Sequence, residues 1–206
     1  MTAVKEKVER RLGEKLFLKP HRCTGPKCAH TRRSYPPGIH GKKRRRGLSE
    51  YGELLHNKQI VRHLYGLDDR EVERYSNEAS RRTGIFGTNF LRMLETRLDN
   101  VVFRLGFAES RRMAKQIVSH GHIQVNGRPV TIPSYRVRTG DTVAIKEKSV
   151  GCGQFRELDL RLKNYEPPSW LGVDPSKKSG KVVRLPEAED AGVTVDVTKV
   201  KEFYSR

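Results

Sequence analysis

Between Thr88 and Ile145 the apolar residues change their spacing once, from a helical repeat to alternation, and this change restricts the fold more than any other feature. Phe90, Leu91, Leu94, Leu98, Val101, Val102 and Leu105 recur at helical spacing, with Thr88 placed to cap the start and Gly106 the end. Ser110 opens a second helix that ends at Gly121. Met113, Ile117 and Val118 fall on one side of it, while Arg111 and Lys115, four residues apart, share another. Residues 122–125 then alternate, Asn126-Gly127 is the preferred pair for a tight hairpin turn, and residues 128–132 return with alternation. Residues 135–138 and 142–145, joined by Thr139-Gly140-Asp141, predict two further short strands. Two helices followed by a small antiparallel sheet give an α+β fold class.

Ahead of this module, residues 48–65 carry a helical pattern with Ser49 as N-cap and Gly66 as terminator. A second helix runs from Asp68 or Asp69 to Arg82, its acids near the positive end of the helix dipole and Arg81 and Arg82 near the negative end. Beyond residue 148 the pattern gives a helical stretch at 154–162, a break at Pro167-Pro168, and β-like pieces at 181–185 and 193–197. The expected organisation is a basic N-terminal arm over 1–47, a helical lobe over 48–86 completed by the C-terminal segment 149–206, and the module over 87–148.

Charge indicates the partner. The 206 residues hold 42 Lys and Arg against 24 Asp and Glu, a net charge of +18. Residues 1–90 carry +11 of it, 91–138 carry +6, and the remainder only +1. From Arg10 to Arg46 thirteen basic residues face one acid, Glu14, and the stretch ends in Lys42-Lys43-Arg44-Arg45-Arg46. Such a run cannot pack in a core; it is either a solubilising tail or an arm that orders on a polyanion. Turn and rigid-backbone residues (Thr24-Gly25-Pro26, Tyr35-Pro36-Pro37-Gly38, His40-Gly41) interrupt it, and Phe17, Tyr35 and several histidines offer flat faces for unstacked bases, which favours an arm on RNA. No apolar run approaches the ~20 residues of a membrane span, and the first residues lack the apolar stretch of a secretory signal. A cytoplasmic protein without membrane contact is expected. Three cysteines, only two of them close together, make no disulfide framework.

Residues 94–107, Ser110-Arg111-Arg112, residues 120–127 and 133–137 closely resemble the RNA-binding domain of the bacterial-type small-subunit ribosomal protein four family. Residues 35–41 and the terminal Glu202-Phe203-Tyr204-Ser205-Arg206 extend the resemblance over nearly the whole chain. It implies a structural constituent of the small ribosomal subunit, without enzymatic activity. Such a protein binds small-subunit ribosomal RNA directly, nucleates assembly of the RNA's 5′ domain, touches small-subunit protein five, sits where mRNA enters, and contributes to translational accuracy. An RNA-modifying or RNA quality-control factor carrying the same module is the alternative. It would need a catalytic domain, for which too few contiguous residues remain.

The RNA-binding residues expected on this reading are Lys42, Lys43, Arg44, Arg45, Arg46, Arg97, Arg104, Arg111, Arg112, Lys115, His120, His122 and Arg136. Arginine forks and lysine point charges suit phosphates. Arg97 and Arg104 have a second reading, pairing with Glu95 or Asp99 on their own helix. Many bacterial members of the family bind zinc in the arm through Cys23 and Cys28 equivalents together with an upstream Cys-x-x-Cys pair. Residues 1–22 contain no cysteine. A four-ligand site would have to recruit His21 and His30, so Cys23 and Cys28 read as a remnant half-site, and no cofactor is expected. His120-Gly121-His122 lies at a helix-to-strand turn beside basic residues, which favours RNA contact over metal. Gly151-Cys152-Gly153 is either a hinge or an exposed thiol. No phosphate-cradling loop, nucleophile elbow or carboxylate pair marks a catalytic site.

Overall fold

The computed structural model describes residues 5–43, 47–163, 165–192 and 195–205. The chain forms two compact units, one of residues 1–86 with 194–206, the other of residues 87–193.

In the first unit, α1 (Lys5–Leu12), α2 (Pro20–Cys23) and α3 (Ala29–Arg32) precede α4 (Glu50–Tyr65) and α5 (Asp69–Arg81). Ser49 caps α4 by accepting from the Gly52 amide, and Gly66 closes it in the left-handed region. Asp68 and Glu71 form a reciprocal capping box on α5. The C-terminal helix Val197–Ser205 packs on α4 and α5. There Phe203 and Tyr204 cover Lys58, whose ammonium also pairs with Asp69 at 2.9 Å. The arm differs from expectation: its described residues fold into this unit. Arg10 donates from Nε to the carbonyls of Arg33 and Tyr35 and stacks on the Tyr35 ring, and His56 on α4 donates to the Leu12 carbonyl at 2.8 Å. Backbone acceptors and one aromatic face thus give a cationic segment a fold by satisfying some of its donors internally.

The second unit contains α6 (Phe86–Glu95), α7 (Leu98–Arg104), α8 (Arg111–Ser119) and α9 (Leu158–Lys163). Its five-stranded antiparallel sheet has the order β2-β1-β3-β5-β4, with β1 Ile123–Val125, β2 Arg128–Pro129, β3 Thr142–Ile145, β4 Leu171–Asp174 and β5 Ser179–Val182. Asn126 and Gly127 both have positive φ, 51° and 77°, as a type I′ hairpin turn requires. The core joins Leu98, Val101, Val102 and Leu105 of α7 to Ile117 and Val118 of α8 and to Ile123, Val143, Ile145, Trp170 and Val182.

Four expectations are corrected. The helix predicted from Thr88 to Gly106 is two helices, and Thr88 lies inside α6. The chain turns extended at Arg97 (ψ 138°), where the Leu98 and Asp99 amides donate to the Tyr135 and Pro133 carbonyls. Those amides are among the donors a helix start leaves open, so residues 133–137 serve α7, and the strand expected at 135–138 is reduced to one bridge between Arg97 and Arg136. Residues 149–193 do not complete the helical lobe, because β5 pairs with β3 and β4 with β5; only the last helix joins the lobe. The piece expected at 193–197 places Val197 at the start of a helix; its residues 193 and 194 lie outside the described residues.

Candidate nucleic-acid interface

The second unit sorts its arginines between interior and surface. Arg97 is 1 % exposed and grips Asp99 with Nε to Oδ1 at 3.0 Å and Nη2 to Oδ2 at 2.7 Å. Arg104 holds Glu95, which is fully buried, with two bonds of 3.0 and 2.9 Å, and gives a further hydrogen bond to the Ala191 carbonyl. Both are therefore ion-paired to the acids named in their second reading, Arg97 to Asp99 in the first turn of α7 and Arg104 across the helix break to Glu95 at the end of α6, and Arg97 is buried in that pair. A buried guanidinium of this kind is held by a bidentate carboxylate, because leaving either partner alone would be costly.

Asn100 links this interior to the surface. Its amide nitrogen donates to Glu95 Oε2 at 2.7 Å and its oxygen accepts from Arg111 Nε at 2.7 Å. Arg111 also lies over the Phe103 ring at 4.6 Å, so the first residue of α8 is half-buried and held in one orientation. Ser110 caps α8 through the Met113 amide, and the apolar face of Ala114, Ile117 and Val118 fixes the helix against the core. That rotation leaves Arg112 exposed and Lys115 half-exposed on the outer face, followed by exposed Ser119 and His120. His122 is half-buried, with Nδ1 3.0 Å from Ser149 Oγ and its ring edge-on to Phe155. Burial, then the charges of His120 and Lys146, hold its pKa below the ordinary histidine value. Arg136 is half-buried.

Arg128 at the hairpin, and Arg138 before the turn that Asp141 closes, are exposed cations of the same unit that sequence reasoning did not select. Their signal was weak, since Arg128 stands alone between Gly127 and Pro129 and Arg138 lies at the end of a segment read as a strand.

In the first unit Lys42 and Lys43 are exposed, with Lys42 Nζ 5.6 Å from the Tyr35 ring centroid. Arg44, Arg45 and Arg46 lie outside the described residues. Tyr35, expected as a face for bases, is half-buried between Arg10 and Lys42, whereas Phe17 is 51 % exposed with Lys15 over it. Sequence reasoning also passed over the outer face of α5. There Arg70, Arg74 and Arg81, with Asn77, Glu73 and Glu78, line an open groove of about 490 Å³. The Arg70–Arg74 spacing of four was the available signal.

Cys23 and Cys28 are both buried. Burial pushes the Cys23 thiol up, while a hydrogen bond from Thr31 lowers that of Cys28. Among the described residues no three His, Cys, Asp or Glu side chains gather as a metal set, His120 and His122 included. Also among them, no helix is long and apolar enough to cross a membrane.

Known proteins give this geometry a context. Residues 1–95 match the ribosomal protein S4/S9 N-terminal domain, and residues 96–143 match the S4 domain. The boundary at 95/96 falls on the break between α6 and α7. The chain is 50 % identical over 197 residues to small ribosomal subunit protein uS4 of Thermus thermophilus, covering 96 % of this chain and 94 % of that one. The uS4 proteins of Halothermothrix orenii and Syntrophomonas wolfei are 49 % and 46 % identical over the same shares. Two adjoining domain matches and half-identity along nearly the full length leave one assignment: the chain belongs to the bacterial-type ribosomal protein S4 family, the uS4 proteins of the small subunit.

Proposed function

We propose that this protein is a structural constituent of the small ribosomal subunit that binds ribosomal RNA directly, without catalysis, in the cytoplasm. The observation that carries the reading is the sorting of cations in the second unit. Arg97, buried, and Arg104, half-buried, are ion-paired at the two ends of α7, while α8 turns Arg112, Lys115 and His120 outward beside a short hairpin. An exposed cationic face on a rigid helix neutralises phosphates and releases counterions, which is the main sequence-independent source of affinity for nucleic acid. Side chains read A-form grooves poorly, so selectivity on this account comes from the shape of a folded junction meeting that rigid face.

The further roles expected of the family belong to the same proposal: nucleation of the 5′ domain during assembly, contact with small-subunit protein five, a position near incoming mRNA, and an influence on accuracy. Family membership and the charge distribution support them. The module's burial of its own arginines also shapes the test, because reversing Arg111 together with its neighbours would break the Asn100 contact and confuse folding with binding. Reversing only Arg112 and Lys115 to Glu is expected to weaken binding to small-subunit RNA and reduce its salt slope by about two, one for each lost phosphate contact. Unchanged affinity and slope in a folded double variant would reject this face as the contact surface.

A further inference from the structure

The zinc-holding members of the family carry a Cys-x-x-Cys pair upstream of the two cysteines that stand here as Cys23 and Cys28, and the residues now in that region do not suit the ion. In α1 the spacing of that pair is present with other chemistry, as Glu6-x-x-Glu9. Glu6 and Glu9 sit one helical turn apart and both reach the segment that leads into α2. Glu6 accepts from Arg22 at 2.7 Å and from Lys19 at 3.5 Å. Glu9, 2 % exposed, accepts from the Leu18 amide at 3.0 Å, and the Cys23 thiol lies 3.7 Å from both of its oxygens.

Structural zinc takes four ligands, mostly thiolate and imidazole, in a closed tetrahedron. Here one carboxylate is occupied by two cations, which would repel a dication. The other already holds a backbone amide. His21 is exposed, and although His30 Nε2 is buried without a hydrogen-bond partner, the described residues assemble no three-ligand set around it.

We infer that Glu6 and Glu9 act as a carboxylate clamp that does by ion pairing and hydrogen bonding what a metal ion does in the zinc-holding relatives: it fastens α1 to the turn around Cys23. The clamp satisfies a half-buried amide and a buried thiol together, and it orders the start of a strongly cationic segment before any RNA is met. Charged acceptors suit this task, since a hydrogen bond to a carboxylate is roughly twice as strong as a neutral one. The cost is that Glu9 must stay partnered, because a buried carboxylate without donors is strongly disfavoured.

The experiment uses the full chain, reduced and free of RNA, so its outcome is independent of the binding proposal. Metal content is measured by mass spectrometry, and exchange of the Leu18 and Cys23 amides is followed with and without a strong chelator, and with added zinc. The expected result is well under one zinc per chain and amide protection that neither chelator nor zinc alters. Glu9→Gln and the Glu6→Gln/Glu9→Gln double variant should speed exchange at these amides by tenfold or more, with amides of α7 and α8 unchanged as a control for folding. One zinc per chain whose removal frees these amides would overturn the inference, as would protection that survives in the folded double variant. If both variants fail to fold, Glu6→Gln alone decides: faster exchange at Cys23 supports the clamp, and unchanged exchange rejects it.

Discussion

Two arginines in the second unit should answer opposite questions. Arg104→Ala removes both bonds to Glu95 and the one to the Ala191 carbonyl, and leaves a fully buried carboxylate without its cation. Breaking a buried pair from one side costs about 3–5 kcal/mol, a large share of the ~5–15 kcal/mol that holds a domain together. Arg112→Ala removes an exposed side chain and should change stability by no more than about 0.5 kcal/mol. Binding should behave the other way. If Arg112 contacts one phosphate, its loss lowers the salt slope by about 0.9, so the fourfold rise from 50 to 200 mM salt weakens the variant about threefold less than the parent. Arg104→Ala, measured where it is still folded, should keep the parental slope. Urea unfolding and RNA titration at four salt concentrations give both quantities, and replacing the pair together by Glu95→Gln and Arg104→Met should recover part of the lost stability. An Arg104 variant of normal stability with a slope reduced by about one would refute the division between structural and RNA-facing arginines.

Two further outcomes are expected. Gly106 has φ +77°, and a Cβ there would meet the Tyr165 ring at 2.9 Å. Gly106→Ala should therefore cost about 2 kcal/mol or more from left-handed strain and crowding, and a thermal midpoint equal to the parent's would contradict the packing of Tyr165 on this turn. His122 has a pKa lowered by burial in the folded state, so as pH falls through about 6.5 the unfolded chain takes up a proton first and stability drops. Unfolding midpoints measured from pH 8 to 5 should decline more for the parent than for His122→Asn, and parallel profiles would show that His122 contributes nothing to the slope.

How much of this could be read in advance depends on whether the signal was local. The caps Ser49 and Ser110 and the Asn126-Gly127 turn were legible because each acts within four residues of itself. The apolar face of α8 was legible because Met113, Ile117 and Val118 repeat at helical spacing, whereas the half-burial of Arg111 against Phe103 and Asn100, on the side it shares with Lys115, was not. The break at Arg97 was not legible from periodicity: the apolar repeat continues across it, and only the carbonyls of Pro133 and Tyr135, more than thirty residues away, give the α7 amides a reason to start afresh. The fate of Arg97 and Arg104 was open for the same cause, since a sequence names the acids nearby but not whether they are buried.

The amino-acid sequence by itself determined the family, the α+β class and the cationic character, because domain matches, apolar period and net charge are properties of the order of residues alone. Tertiary structure decided which cations remain for a partner, which strands extend the sheet to five, and how Glu6 and Glu9 engage the turn at Cys23. Those outcomes rest on burial and on pairing between distant segments, where desolvation makes an unpartnered charge too costly to leave in place.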